Sequence, residues 1–252
     1  MLIKKNITRK LKKKKGGDNE NYTAIIIEPR KHRALEYVLL NILKNLSNNW
    51  NIVICHGNLN EEYVKNIVEN KLQDYKNRIS FVNLKVDNLD FYGYNSVMLD
   101  PNFYNNIPTE IFLVFQTDSI IISKNKDSIN DFLKYDYVGA PFDGIGPHNS
   151  HLNKLVGNGG FSLRKKTKML EILNSCKSSW DFNGEDRFFS FPCNNIEINK
   201  PSFEEAQRFC SQFILNENSF GVHKPWNHFP LDKVFKLFPE VSEYFNACMI
   251  DE

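Results

Sequence analysis

No stretch of this 252-residue chain approaches the ~20 consecutive apolar residues that a membrane-spanning helix needs. Its basic segment near residue 10 runs into Gly16-Gly17-Asp18-Asn19 rather than into an apolar core, so it does not read as a secretory signal. Cysteine is scarce and unclustered. Cys55, Cys176, Cys193, Cys210 and Cys248 form no CxxC or zinc-like spacing, and their odd number argues against a closed disulfide framework. Together these absences predict a soluble, cytoplasmic protein in a reducing compartment. Net charge is also small, +2, and much of the positive side lies in one cluster, Lys4, Lys5, Arg9, Lys10 and Lys12 to Lys15. A lysine run followed by small polar residues reads more simply as a solvated tail than as a nucleic-acid contact. Residues 1–21 are therefore expected to form a flexible basic arm, and no nucleic-acid partner is expected.

What is present is the composition of a folded domain: 41% hydrophobic and 25% charged residues exclude fibrous and disordered classes. The length suits one large α/β domain over residues 22–252. Thr23-Ala-Ile-Ile-Ile-Glu-Pro29 is a short β-branched run closed by proline, a buried strand. Leu35, Val38, Leu39, Ile42, Leu43 and Leu46 then recur at helical spacing, and Trp50 to Cys55 supplies a second buried strand, which completes a β-α-β unit. Further elements follow: a helix over Glu61 to Leu72 and strands over Ile79 to Val86 and Ile111 to Phe115. This alternation predicts a Rossmann-like, mostly parallel central sheet flanked by helices. Beyond Ile122, Pro141, Gly144, Gly146 and Pro147 punctuate a loop with His148 and His151, and Asp143 to Asn153 has no decodable pattern. Helices are expected again over Lys166 to Leu173, Phe203 to Leu215 and Leu231 to Phe238, the second opened by a Ser202/Glu205 capping box.

Four stretches could carry chemistry. Asp118 follows an apolar strand, where α/β sheets receive ligands; it could hold a cation or a ribose hydroxyl, or cap a turn. Glu185 and Asp186 sit between Gly184 and Phe188-Phe189 at the expected start of a helix, as a general base or as dipole-stabilising caps. His223, between Gly221 and Pro225-Trp226, needs a partner before it counts as a ligand. Gly157, Gly159 and Gly160 form a glycine-rich loop that matches neither GxxxxGK[ST] nor GxGxxG, since Ser162 occupies the last position of the latter. Such a bare backbone could wall a bulky ligand, with Phe161 beside it.

Taken in order, Phe115-Gln-Thr-Asp-Ser119, Tyr135-Asp-Tyr-Val-Gly-Ala-Pro-Phe142, Gly157-Asn-Gly-Gly-Phe-Ser-Leu-Arg164, Gly184-Glu-Asp-Arg-Phe-Phe189, Pro201-Ser-Phe-Glu-Glu-Ala206 and Phe220-Gly-Val-His-Lys-Pro-Trp226 resemble a known signature run. It is that of a domain family of unassigned function related to GT-A-fold glycosyltransferases. The resemblance implies a GT-A-like single domain that moves a sugar from a nucleotide-sugar donor, a UDP-sugar, to a hydroxyl acceptor on a glycan, protein or small molecule. It implies Asp118 and His223 as ligands of Mn²⁺ or Mg²⁺, Asp186 as the base and Glu185 as the residue that orients a sugar. Glu28, Arg30, Gln116, Thr117, Asn158 and the three glycines would contact the donor. Gln116 departs from the Asp-x-Asp pattern and is at best a neutral ligand. A single displacement with Asp186 as base would invert the anomeric centre. The alternatives are a non-catalytic nucleotide- or carbohydrate-binding module of the same fold and a sugar-phosphate nucleotidylyltransferase, although Glu28-Pro-Arg30 lacks the glycine-rich loop usual in the latter.

Overall fold

Strand β1 (Tyr22–Ile27) is buried along its whole length, and its side chains divide between two cores: Ala24 and Ile26 face one, Ile25 and Ile27 the other. That double burial is why the segment reads as a continuous apolar run rather than an alternating one. The structure, a computed structural model, describes residues 21–142, 155–176 and 184–248. The basic segment over residues 1–20, the loop with His148 and His151, and residues 177–183 lie outside the described residues.

Helix α1 (Leu35–Asn45) buries Leu35, Val38, Leu39, Ile42 and Leu43 against the first core and returns the chain to β2 (Trp50–His56). Helix α2 (Glu61–Lys71) leads to β3 (Ile79–Asn83), and α3 (Phe91–Met98) precedes β4 (Ile111–Val114). Short β5 (Ser119–Ile121) follows, then β6 (Tyr137–Pro141), β7 (Val156–Lys165), α4 (Lys166–Ser175) and α5 (Glu185–Ser190). The chain continues through α6 (Phe203–Ala206), β8 (Cys210–Ser211), β9 (Gly221–His223), α7 (Leu231–Leu237) and α8 (Pro239–Cys248). Six strands form the central sheet in the order β3-β2-β1-β4-β7-β6, and β5-β9-β8 form a second, small sheet. The pairs β3-β2, β2-β1 and β1-β4 are parallel, whereas β7 runs antiparallel to both β4 and β6. The expected α/β fold with a mostly parallel sheet is the one observed.

Four expectations need correction. The strand from Ile79 stops at Asn83 instead of Val86, because Lys85 turns the chain with φ 60°. The helix expected over Phe203 to Leu215 ends at Ala206 although its capping box is intact. Phe209 instead leaves the helix to join Phe161 and Phe220 in a three-ring cluster, and Cys210-Ser211 pairs with β9; aromatic packing and sheet pairing outweigh helix propensity there. The glycine-rich stretch is no loop: it is the first half of β7, inside the sheet. Finally, Cys176 and Cys193 are joined by a disulfide, contrary to the expectation of unpaired thiols. Their Cα atoms lie 5.5 Å apart because the chain beyond α5 returns to the buried end of α4, a tertiary event that the spacing of cysteines does not encode. Cys55, Cys210 and Cys248 are free and buried.

Candidate active site

The carboxyl ends of β1 and β4 open into a cavity of about 430 Å³. It is lined by eleven of the twelve residues singled out in the sequence: Glu28, Arg30, Gln116, Thr117, Asp118, Asn158, Gly159, Gly160, Glu185, Asp186 and His223. Gly157 is the exception. Its bare Cα abuts Ser190 of α5, so it permits packing beneath the site and does not reach the cavity.

Strand pairing creates the first half of the site. Ser119 of β5 is aligned with His223 of β9, and Lys224 N–H donates to Asp118 O at 3.0 Å, so the residues flanking the pair meet. His223 Nε2 lies 3.2 Å from Asp118 Oδ1. Both atoms are buried, and neither has a hydrogen-bond partner of good geometry among the described residues. His223 Nδ1 lies 2.8 Å from Gln212 Oε1 and 3.1 Å from Asn158 Oδ1. Donation from Nδ1 to these amide oxygens fixes the ring with Nε2 facing the carboxylate, where it interacts with Asp118 when protonated and can turn a lone pair to a cation when neutral. Gln116 Oε1 lies against Gly160 on the same side as the imidazole. One carboxylate oxygen, one imidazole nitrogen supported from behind by amides, and one amide oxygen fit part of a divalent cation's shell. Among the described residues no three His, Cys, Asp or Glu side chains gather as a complete metal cage, so the remaining positions would fall to a ligand or water. Burial by itself would raise the pKa of Asp118, but the imidazole and the Lys224 ammonium at 3.8 Å outweigh it and hold the carboxyl at about 2.

The second half explains the glycines. Successive residues of a strand face opposite sides. On one face of β7, a Cβ at Gly159 would meet Glu185 Oε1 at 2.6 Å and Asp186 Cβ at 2.7 Å; on the other, a Cβ at Gly160 would collide with the His223 ring. The backbone is therefore bare first of all to admit the protein's own polar groups, and the strand runs between them. Glu185 does not extend into the cavity as a free carboxylate. Arg164, fully buried on β7, grips it with Nη1 to Oε2 at 2.6 Å and Nη2 to Oε1 at 3.0 Å, while its Nε donates to Ser162 Oγ. The guanidinium also lies 4.9 Å from the Tyr137 ring centroid and 5.6 Å from that of Phe189. Asp186 accepts hydrogen bonds from Gly159 N–H at 3.2 Å and Arg187 N–H at 2.8 Å. Burial and the neighbouring Glu185 charge outweigh those bonds and raise its carboxyl to about 6. Such a group is ionised near neutrality yet ready to take a proton.

At the strand mouth Glu28 is likewise engaged. Arg30 donates to it from N, Nε and Nη2 at 2.7–2.9 Å, and Asn60 clamps the carbonyls of both residues. Glu28 thus orients Arg30, whose pKa is raised chiefly by that hydrogen bond, with Asp118 also contributing. Sequence reasoning missed two contributors. Helix α3 brings Phe91, Tyr94 and Asn95 to the cavity, and Asn95 Oδ1 accepts the Glu185 N–H. Its signal was legible: Asp90 before Phe91-Tyr-Gly-Tyr94 is an N-cap, and its carboxylate accepts from Gly93 N–H at 2.7 Å. Arg164 was the other; a cation two residues after Ser162 in an apolar strand needs a buried partner.

An α/β domain of this topology, with its polar cavity at the strand ends, has the fold of glycosyltransferases. Over 93% of this chain and 61% of the other, it superposes on the glycosyltransferase GlyE of Streptococcus pneumoniae TIGR4 with a TM-score of 0.53 at 12% identity. The apo form of GlyE gives 0.51 at 12% identity, over 92% and 61% of the two chains. The mannosyltransferase PcManGT of Pyrobaculum calidifontis, in complex with GDP-Man and Mn²⁺, matches at 0.45 and 11% over 66% and 49%, too low to bear on this chain. The chain thus spans about 61% of the length of GlyE, and the likeness is one of fold. The chain belongs to the family described as "Protein of unknown function (DUF5672)", whose model matches residues 78–223. No curated protein matches it in sequence.

Proposed function

We propose that residues 22–252 form one catalytic domain that transfers a glycosyl group from a nucleotide-sugar donor, a UDP-sugar, to a hydroxyl acceptor with inversion. The observation that carries the reading is the Asp186 carboxylate, raised to about 6 at the wall of a cavity that Asp118, His223, Lys224 and Arg30 also line. Arg30 and Lys224 supply positive charge for the donor's diphosphate. Mn²⁺ or Mg²⁺ held by Asp118 and His223, with Gln116 as a neutral partner, would offset charge on the departing diphosphate as a Lewis acid. Asp186 takes the proton of the acceptor hydroxyl, whose oxygen bonds to the anomeric carbon as the bond to the diphosphate oxygen breaks and its electron pair leaves with the diphosphate. Glu185, held by Arg164, acts by fixing the start of α5 and keeping Asp186 basic rather than by touching the sugar. Gly159 and Gly160 let Asp186 and His223 close on the two faces of β7, so that both reach the cavity in which the donor sugar would lie.

A non-catalytic binding module of the same fold would use the Asp118 side alone. The raised carboxyl of Asp186 favours the enzyme, because simple binding of an anionic donor gains nothing from it. Calorimetric titration with UDP tests the donor site. UDP is expected to bind in the presence of Mn²⁺, at least tenfold more weakly with chelator or in Asp118→Ala; absence of binding by any nucleoside diphosphate would overturn the reading.

A further inference from the structure

Helix α3 carries the largest unexplained feature of the cavity. Phe91 is 59% exposed and Tyr92 60%, and their rings meet edge to face at 5.6 Å on the rim. Phe91 lines the cavity beside Gly184, whose φ of 107° favours glycine; a Cβ there would lie 3.8 Å from Phe91 Cζ and 2.9 Å from Asp186 Oδ1. Ring edge and carboxylate thus flank the same bare carbon. One turn further along the helix, Tyr94 also lines the cavity. Its hydroxyl is buried beside the Gln116 side chain, with no hydrogen-bond partner of good geometry among the described residues. A buried hydroxyl with only the poorly aligned Gln116 side chain beside it carries a penalty that a ligand oxygen would relieve.

Resting on the glycosyltransferase reading, we propose that α3 is the acceptor subsite and that the acceptor is a carbohydrate. Its pyranose ring lies with a C–H face on Phe91, and one of its oxygens accepts the Tyr94 O–H. Charge assigns this end to a neutral ligand. The cations that line the cavity, Arg30 and Lys224, interact with Asp118, whereas the ionised groups acting on Asp186 are Glu185 and its partner Arg164. Asp90 adds a further carboxylate beside Phe91. An anionic acceptor would meet the carboxylates of Asp90 and Asp186 there. A lipid chain would gain one aromatic face and then bury polar groups unpaired. A pyranose offers what the subsite offers in complement: one apolar face, a rim of hydroxyls and no charge.

The partition of donor sugar between acceptor and water tests this. The full chain is incubated with the UDP-sugar it hydrolyses fastest, with and without a panel of methyl pyranosides, and transfer and hydrolysis are counted in the same reaction. At least one pyranoside is expected to capture sugar saturably. Phe91→Ala should lower the ratio of transfer to hydrolysis about tenfold and Tyr94→Phe severalfold, while Phe91→Trp should retain it. Loss of folded protein lowers both products together and leaves the ratio unmoved, so a purely structural role gives an unchanged ratio and overturns the proposal. Hydrolysis without capture by any pyranoside, or capture only by hydroxylated peptides or alcohols, overturns the carbohydrate acceptor and leaves the glycosyltransferase reading standing. Absence of hydrolysis with every donor overturns both.

Discussion

Replacing Asp186 by asparagine should remove turnover and at the same time stabilise the fold, and the size of the gain follows from its surroundings. The carboxyl is raised from 3.8 to about 6, chiefly by burial and then by Glu185. A folded-state pKa above the unfolded value means that the native state binds the proton more tightly. Its stabilising contribution is complete below the unfolded value and is lost as pH rises through about 6. Two units correspond to on the order of 2–3 kcal/mol by the linkage of 1.36 kcal/mol per unit. Asparagine keeps an oxygen for the N–H groups of Gly159 and Arg187 but carries no charge. Urea unfolding of both proteins from pH 4 to 8 should give curves that coincide near pH 4 and separate by about that amount above pH 7, with the Asp186→Asn variant favoured. A variant that is no more stable at pH 8 than at pH 4, relative to wild type, would refute the claim that this carboxylate is held against its own preference.

The same site supports other tests. Arg164→Met strands a buried Glu185 and should cost about 3–5 kcal/mol in chemical unfolding, with the Arg164→Met/Glu185→Leu pair recovering most of it; a loss under ~1 kcal/mol would deny the pair its role. Gly160→Ala should shift the His223 ring and reduce cation-dependent UDP binding more than tenfold for an overpacking cost of about 1–3 kcal/mol, so intact binding would mean that the ring is not a ligand. In kinetics, kcat/KM should fall tenfold per pH unit below about 6, where Asp186 takes up its proton, and be flat just above; a profile flat to pH 5 would remove it as the base. Cys176→Ser/Cys193→Ser should lose about 2–4 kcal/mol, since the bridge spans 17 residues, and unchanged stability would mean that the thiols are unlinked.

The parallel part of the sheet was legible because β1, β2 and β4 are buried on both faces and leave continuous apolar runs. The site residues were legible as a set, since eleven of twelve line one cavity, but their division of labour was not. That Glu185 is bound to Arg164 depends on α5 packing against β7, a tertiary contact, whereas Glu28 and Arg30 are only two residues apart and pair locally. The glycine run looked like a loop because glycine commonly marks one. In β7 it answers instead to side chains that arrive from α5 and β9, about which local sequence says nothing. Helix α6 failed in the other direction: its capping box is correct, but Phe209 gains more in the cluster with Phe161 and Phe220 than in another helical turn. Helix α3 was overlooked although its Asp90 cap was readable, because the aromatic residues it displays look like core in one dimension.

The central claim is that this cavity transfers sugar rather than merely binding a nucleotide. Release of UDP from a panel of UDP-sugars with Mn²⁺, measured beside UDP affinity in wild type and Asp186→Asn, separates the two. The account predicts that wild type turns over at least one donor and that the variant binds UDP but loses at least about 10²-fold in turnover. Tight UDP binding with no turnover of any donor, or equal turnover by the variant, would contradict it.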